Sequence, residues 1–318
     1  MSRTLPALDT RALEGALTHP RGQFRRVSVV DETGSTNTDL ATSAAADSAG
    51  WPDLSVLVAN SQIAGKGRLD RVWEVPAGTS MISSVLLRPT DPSVHPGAPA
   101  FAPTGYGWLS VLAGIALCQA VRAETGAPAL LKWPNDVLLN GRKLAGILAQ
   151  LVAPPPAGVT SGVSAGGVRG AADGAGPGPA VVVGAGVNIS QQREQLPVDR
   201  ATSLELEIDS AVDRNELLPA YLNRFAGLYR DFVAVGGDAL RPLSGGESVH
   251  ALASGLMLTL GTQVRAELPG GQMLHGTAVR LGPGGELEIR DGDGAMHTVS
   301  AGDVVHLRRT GSDGVGYA

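Results

Sequence analysis

Apolar positions recur along the chain with two periods, and the places where the period changes divide it. From Phe24 the pattern is strand-like: FRRVSVVDE, LSVLVAN and SMISSVLLRP are short, rich in β-branched residues and bounded by polar stretches. After the first of these, GSTNTDLATSAAA predicts an alanine-rich helix with Ser35, Thr36 or Asn37 at its cap. Trp108–Thr125 has helical apolar spacing and stops near Gly126. LLKWPNDVLLNGRKLAGILAQLV reads as two strands around an Asn-Gly turn at Asn140–Gly141, and VVVGAGVNIS as a further buried strand with a polar tip. Asp213–Phe232 predicts a strong helix: Asp213 and Glu216 make a capping-box-like start, and Leu217, Leu218, Tyr221, Leu222, Phe225, Leu228 and Tyr229 form one apolar face. After about Gly255 the texture changes to short alternating segments separated by PGG and DGDG turns, the pattern of a small all-β module of hairpins.

These patterns predict an irregular lead-in at 1–23 with at most a short helix, an α/β domain with a mixed sheet at 24–255, a small β-barrel at 256–310 and a tail at 311–318. Within the large domain, 153–180 (APPPAGVTSGVSAGGVRGAADGAGPGPA) has no Leu, Ile or aromatic residue and reads as a flexible surface insertion joining two strands. The length of 318 residues suffices for one large and one small core, and 43% hydrophobic residues with 17% charged is a globular composition. A net charge of −5 argues against a general nucleic-acid binder. The single cysteine, Cys118, allows no internal disulfide and sits in the apolar run VLAGIALCQAV, where a buried small residue is expected rather than a nucleophile. No apolar run is expected to span a membrane, and MSRTLPALDTRALEG lacks the core of a signal peptide, so a cytoplasmic protein is expected.

Chemistry concentrates in four places. In QIAGKGRLDRVW, glycines permit close backbone approach, Lys66, Arg68 and Arg71 offer charge to a carboxylate or phosphate, and Trp73 offers a flat face for a heterocycle. Taken alone, that loop reads equally as a solvated charged turn with a buried tryptophan. It is not a GxxxxGK[ST] phosphate loop, and no GxGxxG opens a helix after a strand, so any ATP site here is of another kind. In KWPNDVLLNGRKLAG, Lys132 and Lys143 flank the polar turn Trp133-Pro134-Asn135-Asp136. Asn135 can address a purine edge, and Lys143 can reach a carboxylate and a phosphate together; plain turn chemistry is the competing reading. Asn188 ends the strand carrying GAG, and Ser35, Thr36 and Asn37 offer neutral hydrogen bonds.

GSTNTDLA, QIAGKGRLDRVW, KWPNDVLLNGRKLAGIL and VVVGAGVNI, in this order, closely resemble the biotin–protein ligases. The resemblance runs from about Val27 to Arg308, without the insertion. It implies a catalytic domain of the class II synthetase-like, lipoate-ligase-like kind and an SH3-like C-terminal β-barrel. The implied reaction joins biotin and ATP into biotinyl-5′-adenylate, then transfers biotin to a lysine of a biotin carboxyl carrier domain. Ser35, Thr36, Asn37 and Gln62 would hold the biotin head, with Lys66, Gly67 and Arg68 in a loop folding over biotin and adenylate. Arg71 would meet phosphate; Trp73, Asn135 and Asn188 would hold the adenine and its surroundings. Lys143 would bridge the biotin carboxylate and the α-phosphate, making Lys143 and Arg68 the catalytic pair. Mg²⁺ is expected with the triphosphate, and Asp136 is a candidate to support it. Lys66 departs from the family, which often carries Arg there, so the charge remains and the planar fork is lost. Asp70 is a candidate partner for Arg68 or Arg71.

A lipoate–protein ligase and a non-catalytic biotin-binding module are the alternatives. The KWPNDV…GRKLAGI run favours biotin over lipoate, and the adenine-side residues favour an enzyme. About two dozen residues precede the pattern, too few for a winged-helix domain, so no nucleic-acid partner is expected. A monomer or weak homodimer, without membrane attachment, completes the expectation.

Overall fold

The computed structural model describes residues 6–73, 75–152, 179–304, 306–311 and 314–316. The expected insertion at 153–180 falls mostly outside these residues, as does the side chain of Asp70. Seven strands form the main sheet: β1 (Arg26–Thr33), β2 (Ser55–Gln62), β3 (Ser80–Leu87), β4 (Leu130–Lys132), β5 (Asp136–Leu139), β6 (Arg142–Leu151) and β7 (Val181–Asn188). Their order is β1-β2-β3-β7-β6-β5-β4, with β1 and β2 parallel and every other pair antiparallel. A parallel pair needs a crossover, and helix α2 (Thr36–Ala46) supplies it. The sheet is therefore mixed, as expected.

The KWPND segment departs from the sequence reading. It holds three strands, not two, because Trp133–Asn135 is itself the turn between β4 and β5. The Asn-Gly turn joins β5 to β6 with φ of 49° at Asn140 and 76° at Gly141, the left-handed pair that a tight hairpin requires.

Two layers cover the sheet. On one face α2 packs Leu40, Ala41 and Ala44 against Leu57, Leu86 and Val182. The other face carries α3 (Leu109–Thr125) and α5 (Arg214–Ala234), with the short helices α1 (Thr10–Leu17), α4 (Leu204–Ile208) and α6 (Val249–Leu256) around them. Asp213 caps α5 by accepting the Asn215 N–H at 2.8 Å, and the predicted apolar face is buried but for the half-buried Leu228. Residues 6–23 are more than a lead-in: α1 buries Leu13 and Leu17 in the main core. One helical stretch, 103–125, has by length and composition the apolarity to cross a bilayer. Its most apolar window is 72% buried, because sheet and helices enclose α3 nearly all round, the condition of a core helix. Burial also lifts the Cys118 thiol to about 12, as befits an inert core residue.

The C-terminal strands β8 (Gln263–Glu267), β9 (Met273–Leu281), β10 (Leu287–Arg290), β11 (Met296–Val299), β12 (His306–Gly311) and β13 (Gly314–Gly316) pair antiparallel in the order β11-β10-β9-β8-β12-β13. Part of the expected tail is thus strand. This second sheet shares one continuous buried cluster with the first. Two indoles fasten them: Trp108 Nε1 donates to Pro283 O at 2.7 Å and Trp133 Nε1 to Gly285 O at 2.9 Å. That seam brings Leu307 and Arg308 to the rim of the main sheet.

Candidate functional site

Every site residue nominated from the sequence lines one cavity of about 300 Å³. Its deep end is neutral and hydrogen-bonded. Ser35 is the N-cap of α2 but makes no side-chain cap bond. Gln62, at the end of β2, does that work from across the sheet: its Oε1 accepts from Thr36 N at 2.7 Å and from Thr36 Oγ1 at 2.9 Å. An N–H of the first helical turn, which has no partner within the helix, is thereby satisfied. Asn37 donates through Nδ2 to Leu148 O at 3.1 Å. The Ser84 hydroxyl lies 2.7 Å from Thr36 Oγ1 and 2.6 Å from Asn37 Oδ1; with one proton it donates to one of them at a time.

This cluster exists because β7 carries glycine. Gly184 pairs with Ser84 on one side and Leu148 on the other, so the Asn37 amide lies across it and bonds to both neighbours. A Cβ at Gly184 would stand 2.1 Å from Asn37 Oδ1. Two residues on, Gly186 pairs with Gly146, and the Trp73 indole lies over both: a Cβ would meet the ring at 2.7 Å from Gly186 and 3.3 Å from Gly146. The Trp73 Nε1 donor is buried without a hydrogen-bond partner among the described residues.

The other end of the cavity is cationic. Lys143 Nζ forms an ion pair with Asp136 Oδ1 at 2.6 Å and lies 5.7 Å from the centroid of the Trp73 ring. Asp136 also faces Lys132 and Arg68 electrostatically. One carboxylate therefore faces several cations and pairs directly with Lys143. Lys132 is buried, which pushes its ammonium down to about 8; Asp136 opposes the shift, while Lys143, Arg200 and Arg308 add to it. Among the described residues no group of three or more His, Cys, Asp or Glu side chains could hold a metal ion.

The loop after β2 is a small hairpin. Trp73 N donates to Gly65 O at 2.8 Å, Gly67 N to Arg71 O at 2.6 Å, and Lys66 bridges to Val72. Leu69 at its tip has φ of 55°, a left-handed conformation that costs a side chain about 1 kcal/mol. Arg68 makes its hydrogen bonds to backbone carbonyls. Its Nη2 donates to the carbonyls of Ala301 and Val304, tying the loop to the C-terminal sheet, and burial lowers its pKa.

Asn135 and Asn188 hold the walls. Asn135 exchanges two bonds with Ile147, from its Nδ2 to Ile147 O and from Ile147 N to its own carbonyl, each 2.9 Å. Asn188 donates to Thr202 O at 2.9 Å and accepts from Gln191 Nε2 at 3.2 Å, so both ends of its amide are spent on protein. The sequence reading did not nominate Ser84, Gly184, Gly186, Lys132, Arg200 or Arg308, all brought to the site or its walls. Signals existed for some: a Ser-Ser pair inside the apolar run SMISSVLL, and glycines two apart in VVVGAGVN, hence on one face of a strand.

Comparisons with known proteins agree with this architecture. Residues 29–163 match the Biotin/lipoate A/B protein ligase family, and residues 259–307 match the Biotin protein ligase C terminal domain. The biotin–[acetyl-CoA-carboxylase] ligase of Mycobacterium tuberculosis is 36% identical over 313 residues, covering 96% of this chain and 98% of that protein. The chain belongs to the biotin protein ligases. Its likeness extends to the bifunctional ligase/repressor BirA of Bacillus subtilis, 28% identical over 79% of this chain and 66% of that protein. Among solved structures, a biotin protein ligase from Aquifex aeolicus in complex with biotin and ATP has the same fold, with a TM-score of 0.64 at 24% identity over 90% of this chain and 100% of that one.

Proposed function

We propose that this biotin protein ligase binds biotin and ATP side by side in the one cavity and makes biotinyl-5′-adenylate there. The observation that carries this reading is the polarity of the cavity: a buried neutral hydrogen-bonding cluster at one end, a convergence of cations at the other. The neutral end, Ser35, Thr36, Asn37 and Gln62, suits an uncharged polar head. The cations suit two anions that must meet. A biotin carboxylate oxygen attacks the α-phosphorus, the α–β phosphoanhydride bond breaks and pyrophosphate leaves. Lys143 offsets the charge gathering on the α-phosphoryl group and between the anions. Trp73 supplies a face for the adenine, while Asn135 and Asn188 keep its walls in register. Lys66, Gly67, Arg68 and Arg71 belong to the loop that covers the reactants, where exclusion of water protects the mixed anhydride. Mg²⁺ bound with the triphosphate would offset part of its negative charge.

In the second step the ε-amine of a lysine on a biotin carboxyl carrier domain attacks the acyl carbon, an amide forms and AMP leaves. The 24–255 unit carries this chemistry, with 256–310 packed against it. The need for ATP suits a cytoplasmic setting. The test is transfer of labelled biotin from free biotin and ATP to a carboxyl carrier domain. Labelling of the carrier supports the reading; a protein that uses lipoate in place of biotin in the same assay overturns it.

Lys132 adds a pH signature. Its ammonium is charged below about 8 and neutral above, whereas an ordinary lysine titrates at 10.5. A triphosphate favours the charged form, so ATP affinity is greatest below about 8 and falls as pH rises through it. Calorimetric titrations with ATP from pH 7 to about 9.5 measure this. A Lys132→Met variant is expected to lose that component of the pH dependence, and an unchanged profile in the variant removes Lys132 from the nucleotide site.

A further inference from the structure

Lys143 sits just beyond the tip of a hairpin, a place where a strand is free to fray. Two bonds hold its backbone: Lys143 N donates to Arg200 O at 2.7 Å, and Thr202 N donates to Lys143 O at 2.8 Å. The catalytic lysine is thus bridged to the irregular stretch 200–202, not only to the β5 strand beside it. The register with β5 is itself irregular here, shifting between Val137 and Leu138. The position of Lys143 therefore depends on what holds 200–202 against the hairpin.

One carboxylate does so from α4. Glu207 Oε2 accepts from Asn140 Nδ2 at 2.8 Å, at the hairpin tip, and Glu207 Oε1 accepts from the Thr202 hydroxyl. Arg142 Nη1 lies 3.9 Å from the same oxygen. The side chain of Glu207 is largely shielded from solvent, at 12% exposure, so these bonds compete little with water. Its two oxygens join residues on either side of Lys143: Asn140 and Arg142 ahead of it on the hairpin, Thr202 across the bridge.

We propose that Glu207 is a positioning residue for Lys143, acting by clamping the 140–142 hairpin tip to Thr202 so that the Lys143 ammonium is held at the phosphoryl end of the cavity. The inference rests on the catalytic role given to Lys143 above. Glu207 is not among the residues that line the cavity. Its loss loosens the lysine without removing it.

The consequence separates from simple stability. Misplacing a catalytic group by about 1 Å lowers turnover while leaving ground-state binding largely intact, so Glu207→Ala should reduce kcat of biotin-dependent ATP–pyrophosphate exchange about tenfold or more, with KM for biotin near its original value. Glu207→Gln should be rescued to within about threefold: its carbonyl still accepts from Asn140, its amide donates to Thr202, and the threonine hydroxyl turns from donor to acceptor. Two milder variants each remove one arm, Thr202→Val and Asn140→Gly, and the glycine tolerates the left-handed turn.

The experiment measures exchange kinetics and thermal midpoints for these four full-length variants and for Lys143→Ala. The proposal expects loss of kcat in Glu207→Ala at a near-original midpoint, rescue in Glu207→Gln, and intermediate losses in the one-arm variants. It is overturned if Glu207→Ala exchanges normally while Lys143→Ala is inactive, an outcome that leaves the reading of Lys143 standing. It is also overturned if kcat falls only in step with the midpoint, or if Thr202→Val and Asn140→Gly are fully active when Glu207→Ala fails to fold. Normal exchange in Lys143→Ala overturns both readings together.

Discussion

A Lys143→Ala variant is expected to lose biotin-dependent ATP–pyrophosphate exchange by about 100-fold or more, because one preorganised charge aimed at a developing oxyanion contributes on that scale. The structure argues that the fold survives. The Lys143 side chain is about a quarter exposed and, among the described residues, its ion pair is with Asp136. Asp136 keeps Lys132 and Arg68 nearby when Lys143 is gone, so no carboxylate is stranded among apolar groups. The backbone bonds to Arg200 and Thr202 do not involve the truncated atoms. Exchange and thermal unfolding measured together decide the matter, and near-normal exchange in a folded variant would take Lys143 out of the mechanism. Lys143→Arg keeps the charge on a longer, planar group and should recover only part of the rate.

The second large effect lies where no polar side chain is touched. Gly184→Ala places a methyl group 2.1 Å from Asn37 Oδ1 and 3.1 Å from Ser84 Oγ. Asn37 is the far end of a rotatable side chain, so it yields before the backbone of β7 does. Yielding breaks its bonds to Leu148 O and Ser84 and removes one wall of the neutral cluster. Losing buried hydrogen bonds of this kind costs about 1–3 kcal/mol, which weakens biotin binding roughly tenfold to 100-fold. Calorimetric titration with biotin reads this directly. Gly15→Ala is the control: that glycine lies within α1 with nothing inside 4 Å of an added Cβ, so the change favours helix and should leave biotin affinity unaltered. Equal affinities in the two variants would show that Asn37 does not contact the ligand.

Much of this protein is determined locally, and that part was legible. β-branched runs, the Asn-Gly turn and the seven apolar positions of α5 depend on neighbours within a few residues, so they form as the pattern predicts. The order of the four motifs likewise singles out Ser35, Thr36, Asn37, Gln62, Trp73 and Lys143. The WPND turn misled for a local reason: with Trp-Pro-Asn between strands of only three and four residues, the strands are too short to show a period.

Tertiary structure alone decided what those residues touch. Gln62 caps a helix that begins 26 residues earlier because β1 and β2 run parallel and bring their ends together. Arg68 meets carbonyls more than 230 residues away because the C-terminal sheet is fastened beside the loop by two indoles. Gly184 reads in sequence as one glycine of a buried strand, and only the registers of β3, β7 and β6 reveal it as the floor beneath Asn37. Glu207 is one of two acidic residues in a short helix until the hairpin and the 200–202 stretch are folded on either side of it. Periodicity and turn chemistry are short-range properties of a chain, whereas cross-strand register and the meeting of distant loops follow from burying one shared core.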